Sequence, residues 1–246
     1  MDFELSGEAR ELAGLTRDLC ESGRPLWPAL AEAGVLTAAL PKRAGGEGYG
    51  LPEQCAVLIE LGRHASDVPY LPAIVVNASA VAVFGSGEQA AAAGFGAELL
   101  ADLEVPEAWL RSRRVVGTAA HQLGVVERAL EMTAGYARGR VQFGRPIGAF
   151  QAVSQRLADA WIDVEALRLA LWQAVCRPEP AEVATAGFWA AEAGHRVLHT
   201  AVHVHGGVGI DMDYPLHRYF LAAEANEFAL GGATAQLVAL AEEMQQ

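Results

Sequence analysis

Residues 107–138 read EAWLRSRRVVGTAAHQLGVVERALEMTAGYAR. Within them Val116, Ala120, Leu123, Val126, Leu130, Ala134 and Ala137 recur in steps of three and four. That spacing returns to one face every 3.6 residues, so the stretch is predicted as one long amphipathic helix and not a strand, whose period is two. A second stripe runs through Phe150, Val153, Leu157, Trp161, Val164, Leu167, Leu171 and Val175. Each stripe exceeds two heptads, which predicts long antiparallel neighbours in a helix bundle. Arg177-Pro-Glu-Pro180 closes the second helix. A third is expected from about Ala181 to His203, stopped by Gly206-Gly207. A shorter one follows Pro215, and a last one covers about Phe228 to Glu243.

Working outward to the N-terminus, residues 4–40 keep a helical period, with Trp27, Leu30, Ala31 and Val35 on one face and Pro25, Pro28 and Pro41 as punctuation. Pro41 to Gly50 is a glycine-rich loop. Helices fit Pro52–Arg63 and Pro72–Phe84; Gly85-Ser-Gly87 breaks the pattern, and Glu88-Gln89 opens a short alanine-rich helix. Residues 94–107, with Gly94, Gly96 and Pro106, read as a connector. No strand alternation and no internal repeat stands out. The expected fold is all-α: an N-terminal helical domain over 1–93, the connector 94–107, and a C-terminal antiparallel helix bundle over 108–246, with about five helices in each domain.

Composition supports this and narrows function. The chain has 246 residues, 52% hydrophobic and 20% charged, enough to bury a real core. Its formal net charge of −12 argues against nucleic acid and anionic membranes as partners. No apolar run reaches the roughly 18 residues of a membrane span. Cys20, Cys55 and Cys176 are odd in number and widely spaced, which fits a reducing cytoplasm better than a disulfide framework. The first residues lack the basic and apolar regions of a secretory signal.

Several constellations could carry chemistry. Gly45-Gly46-Glu47-Gly48-Tyr49-Gly50 superficially resembles a dinucleotide loop but lacks the preceding strand, so a turn is expected. His195, His199 and His203 stand at i, i+4 and i+8, where imidazoles one turn apart can converge on an ion. No acidic residue is interleaved, and the expectation is no metal site. Asp211 with Asp213, and Glu224 with Glu227, could supply a carboxylate base or acid, or simply face solvent. The segment Tyr136-Ala-Arg-Gly-Arg-Val-Gln-Phe-Gly-Arg-Pro-Ile147 differs in kind. It places Arg138, Arg140 and Arg145 at the end of a long helix in an acidic chain. Guanidinium forks suit phosphate oxygens, whereas the bland alternative is a cationic helix C-terminus complementing its dipole.

At these residues the chain resembles the acyl-CoA dehydrogenase family. Arg140-Val-Gln-Phe-Gly-Arg-Pro-Ile-Gly-Ala-Phe-Gln151 is similar to that family's Arg-x-x-Phe-Gly…Phe-Gln signature. His203-Val-His-Gly-Gly-Val-Gly209 and Tyr214-Pro-Leu-His-Arg-Tyr219 resemble its Gly-Gly-x-Gly and Tyr-Pro…Arg stretches. Leu40-Pro41, Gly45 to Gly48 and Glu60-Leu-Gly-Arg63 are similar to its N-terminal helical domain. The resemblance implies FAD as cofactor and α,β-dehydrogenation of an acyl-CoA, a carboxylate taking the α proton and the flavin the β hydride. It implies cofactor-binding roles for Arg140 at the pyrophosphate, for Gln142, Phe143 and Gln151 beside the cofactor, for His203 where the family usually has glutamine, and for the Gly206 and Gly207 amides.

Two departures define the expectation. The family's middle β-domain has no room between residues 93 and 108. The usual catalytic Glu is replaced by Leu230 before Gly231, and the alternative base position falls near Arg114. The resemblance therefore implies a non-catalytic subunit that shares FAD with a full-length acyl-CoA dehydrogenase partner. That partner would bind most of the acyl-CoA, whose acyl group could be bulky, such as a sterol side chain. Two other readings stay open: a helical scaffold or binding protein without flavin, and a stand-alone enzyme of different chemistry using Glu224, Glu227 or the histidine row.

Overall fold

The computed structural model describes residues 5–86 and 103–245. The short helix expected at Glu88, and the connector up to residue 102, lie outside the described residues. Helix α1 (Gly7–Glu21) starts at Ser6, whose hydroxyl accepts from the Ala9 N–H at 3.0 Å. Helices α2 (Leu26–Glu32) and α3 (Val35–Ala38) are separated by Gly34 in the left-handed region, and α4 spans Leu51–Arg63. A π-helical stretch, Leu71–Ala78, runs directly into α5 (Ser79–Phe84).

The bundle follows. Helix α6 (Glu107–Gly139) is the long helix of the first stripe. A two-residue strand on each side of a tight turn, β1 (Val141–Gln142) and β2 (Arg145–Pro146), pairs antiparallel before α7 (Gln151–Cys176). Helix α8 (Pro180–His205) ends at Gly206, and α9 (Leu216–Ala229) and α10 (Gly232–Glu243) complete the chain. The expectation of no strands thus misses one small hairpin, the only strand pairing among the described residues. Its strands are too short to leave a period in the sequence.

Helix α6 is the axis of the molecule. Its Val116, Ala119, Leu123 and Val126 are buried in one continuous core with Leu58 and Leu61 of α4, Leu167 and Leu171 of α7, and Val197 and Leu198 of α8. Burying aliphatic side chains of this size stabilises by about 1.5–3 kcal/mol each. Small residues bring the helices close. A Cβ on Gly124 would lie 1.9 Å from the Ile59 carbonyl oxygen, and one on Gly62 would lie 2.1 Å from that of His121. No described helix is long and apolar enough to cross a membrane.

Candidate functional site

The end of α6, the hairpin, the start of α7 and the end of α8 meet at one end of the bundle. The Arg140 N–H closes the last helical turn on the Tyr136 carbonyl at 2.8 Å, and the Arg140 carbonyl accepts from Ile147 at 2.8 Å, which holds the hairpin against its own helix. Phe143 and Gly144 occupy the turn with φ of +52° and +79°. Two consecutive positive φ values match the twist of a two-residue hairpin loop, but phenylalanine seldom occupies the first position. The Phe143 side chain is 92% exposed and meets Phe150 edge-on, centroids 6.2 Å apart. The Arg145 guanidinium lies 4.1 Å from the Phe150 ring centre, within cation–π range.

Gln142, Phe143, Phe150, Arg156, His203 and Val204 line a groove of about 370 Å³. Three of the residues singled out by sequence, Gln142, Phe143 and His203, are therefore brought together, with Arg140 at the base of the hairpin and Gln151 opening the first turn of α7. Gly206 and Gly207 cap α8 beside them. Gly206 has φ +62° and ψ −138°, a conformation open to glycine, and a Cβ at either glycine would meet no atom of the chain. Both backbones therefore lie bare toward solvent.

This end of the bundle gathers arginines that hold no carboxylate. Elsewhere Arg17, Arg63, Arg114, Arg168, Arg177 and Arg196 each hold a carboxylate at 2.6–3.4 Å. Here Arg140 and Arg156 have no carboxylate or carbonyl partner among the described residues and Arg145 meets only the Phe150 ring, whereas Arg138 faces a separate pocket lined by Glu127, Glu131 and Glu165. Three guanidinium groups without a paired carboxylate, near the free amides of a helix start, suit a phosphate-bearing ligand.

Sequence reading missed Arg156 and the supports beneath the glycine turn. Arg156 could have been noticed as a cation in the second turn of a helix, where the dipole favours acids. His205 is buried, with Nδ1 2.8 Å from the Ala201 carbonyl and Nε2 3.1 Å from the Tyr214 hydroxyl, and its ring stacks on Tyr136 at 4.3 Å. Burial holds its imidazole below the ordinary histidine value. These contacts fix the end of α8 and so the direction of the Gly206–Gly207 turn.

The other candidates separate from this site. The histidine row divides: His203 faces the groove, whereas His195 and His199 gather with Glu224 and Glu227 of α9. Leu230 is 5% exposed at the α9–α10 junction, its carbonyl accepting from the Gln236 side chain at 2.5 Å. No proton acceptor stands on that side chain. Arg114 is exposed and pairs with Glu107 at 3.4 Å. In the glycine-rich loop the Glu47 and Gly48 amides donate to Ala38 and Leu40, so its donors are used within the turn. Asp211 accepts from the Asp213 N–H at 3.0 Å in an exposed turn. Cys20, Cys55 and Cys176 are all free thiols.

Comparison with known proteins agrees with this layout. The profile described as acyl-CoA dehydrogenase, N-terminal domain, matches residues 8–93, and that of the acyl-CoA dehydrogenase C-terminal domain matches residues 104–245. The chain is 38% identical to the acyl-CoA dehydrogenase FadE27 of Mycobacterium tuberculosis over an alignment of 370 positions, covering 100% of this chain and 99% of the relative. That alignment is far longer than the chain's 246 residues, so the relative carries a long stretch without counterpart here. The crystal structure of the ChsE4–ChsE5 complex from Mycobacterium tuberculosis contains a chain 37% identical, with a TM-score of 0.90 and coverage of 100% and 99%. A steroid acyl-CoA dehydrogenase, Tcur3481–Tcur3483 in a G363A variant, contains one 30% identical with a TM-score of 0.87, covering 98% of this chain and 99% of that one. Butyryl-CoA dehydrogenase of Megasphaera elsdenii, at 17% identity and a TM-score of 0.86, shares the fold.

Proposed function

Since the chain belongs to the acyl-CoA dehydrogenase family and carries its two helical domains without the middle β-domain, we propose that it is the non-catalytic subunit of a heteromeric, FAD-dependent acyl-CoA dehydrogenase. The observation that carries this reading is the unneutralised arginine cluster beside the bare Gly206–Gly207 turn. The division at residues 93 and 108 belongs to the same proposal.

The donor set fits the distal end of FAD. Arg140, with Arg156 nearby, would neutralise the pyrophosphate. The Gly206 and Gly207 backbones would approach it without side-chain interference. Gln142, Gln151 and His203 would offer hydrogen bonds along the groove, and the exposed Phe143 ring would give an apolar face. Bound FAD supplies hydride acceptance from the acyl β carbon. This chain contributes grip and orientation only: Leu230 cannot take the α proton, and Arg114 cannot act as base. The full-length partner would therefore supply the β-domain, the base and most of the acyl-CoA site. Relatives that are a two-component complex and a steroid enzyme support a bulky substrate such as a steroid side-chain CoA.

The test is co-purification. The complex with a full-length acyl-CoA dehydrogenase is expected to be yellow, and the chain alone colourless. Arg140→Ala should lower FAD affinity at the shared site by at least tenfold, since a charge-assisted bond of about 1.5–3 kcal/mol is lost. FAD held by the lone chain, or full FAD retention and activity in the variant complex, overturns the reading.

A further inference from the structure

The pair of helices α8 and α9 carries a second cluster away from the groove. His195 and His199 stand one turn apart on α8, their ring centroids 4.3 Å apart. Glu224 approaches from α9, so that one ligand atom of each of the three residues lies within 4.8 Å of the others. Glu227, one turn along α9, places Oε2 3.4 Å from His195 Nδ1. That oxygen is shielded from solvent and makes no hydrogen bond. His199 also meets Phe220 edge-on, centroids 5.4 Å apart.

We propose that His195, His199 and Glu224 form a site for a divalent first-row transition ion, with zinc the best fit, and that Glu227 orients His195. Two imidazoles and one carboxylate are borderline nitrogen and oxygen donors, the set that zinc takes in sites with an open fourth position. A histidine whose Nδ1 faces a carboxylate presents Nε2 to a metal, and that supporting carboxylate is the usual outer partner of such a ligand. Ligands on a tetrahedral zinc lie about 3.3 Å apart, given bonds of about 2.0 Å. Exposed side chains on adjacent helices can close from 4.8 Å to that spacing by rotation alone. The sequence could not show this, because the carboxylate that completes the histidine pair comes from a different helix. A bound ion would clip α8 to α9, the two helices that bracket the Gly206 turn.

Isothermal titration of the 246-residue chain with zinc chloride tests the site. One zinc per chain is expected. His199→Ala and Glu224→Gln should each weaken binding at least tenfold, and Glu227→Gln by tenfold or more through the orientation of His195. His203→Ala, on the same helix but facing the groove, should stay within twofold of the parent. Zinc should also raise the Tm of the parent and not that of His199→Ala. All the substituted residues reach solvent, and circular dichroism confirms retained helicity. No saturable zinc binding by the parent overturns the proposal. So does parent-like affinity in both His199→Ala and Glu224→Gln, or an equal loss in His203→Ala.

Discussion

At the scale of single residues, two desolvated histidines, His205 buried and His121 partly so, give the chain a defined response to acid. Burial depresses both His121 and His205 below the ordinary value of 6.5. For His205 the loss of solvent favours the neutral ring and outweighs the Nδ1–H bond to the Ala201 carbonyl, which pulls the other way. The unfolded chain therefore binds more protons than the folded one once the pH drops below about 6.5. The stability these groups contribute is full above that value and is lost as pH falls through their depressed folded values. Thermal unfolding should show a lower Tm at pH 5 than at pH 7.5. His205→Gln keeps a polar side chain but cannot titrate, so its Tm should change less between the two pH values. An unchanged pH difference in that variant would remove His205 from the account. Nothing in the local sequence marks His205 apart from His203, two positions earlier. Only the direction of the side chain at the end of α8, set by Tyr136 and Tyr214, separates a buried support from a groove residue.

Among the elements, the contact of α4 with α6 sets the limit on substitution. The Gly62 and Gly124 backbones pass so close that any Cβ would enter a carbonyl oxygen of the facing helix. Carbonyl oxygens already engaged in a helix cannot move aside as a flexible side chain can. Gly124→Ala should cost about 3 kcal/mol, the upper part of the usual range for overpacking. Gly135→Ala, on the same helix with open space around it, should instead stabilise by up to about 1 kcal/mol through helix propensity. Urea denaturation midpoints of the two variants should move in opposite directions. The long helices were legible because their apolar spacing spans many turns. Ends were less so: α6 runs to Gly139 and α8 to His205, each slightly past the expected stop. The hairpin was invisible because two-residue strands carry no period, and its turn places phenylalanine where asparagine or glycine is usual. The second stripe was legible as a helix but not as to what covers it. Trp161 lies on that stripe yet is 59% exposed, since an apolar period does not say whether the chain's own core covers the face.

For the whole molecule, the interior is continuous without a middle domain. The core is continuous because α6 packs the N-terminal helices on one side and the bundle on the other. The strands of a middle domain would therefore have been an added layer, not the link between the two helical parts. Several large apolar side chains stay outside: Trp161 and Ile162 on α7, Leu221 and Phe228 on α9, Val238 and Met244 near the C-terminus, with Phe228 88% exposed. Large apolar side chains in open solvent gain nothing for a lone chain and mark surfaces that associate. An aspartate at such a position barely disturbs the isolated fold, because surface changes usually stay within about 0.5 kcal/mol. Placed inside an interface, the same carboxylate would be desolvated without a partner, at a cost of several kcal/mol. Trp161→Asp and Phe228→Asp should thus leave the melting curve of the isolated chain nearly unchanged. On gel filtration with the catalytic subunit, a variant whose site lies under the partner should elute as separated chains, and FAD should be lost with the complex. If both variants still assemble and stay yellow, the partner covers neither face, and the arginine end of the bundle must reach the flavin by a contact that leaves α7 and α9 bare.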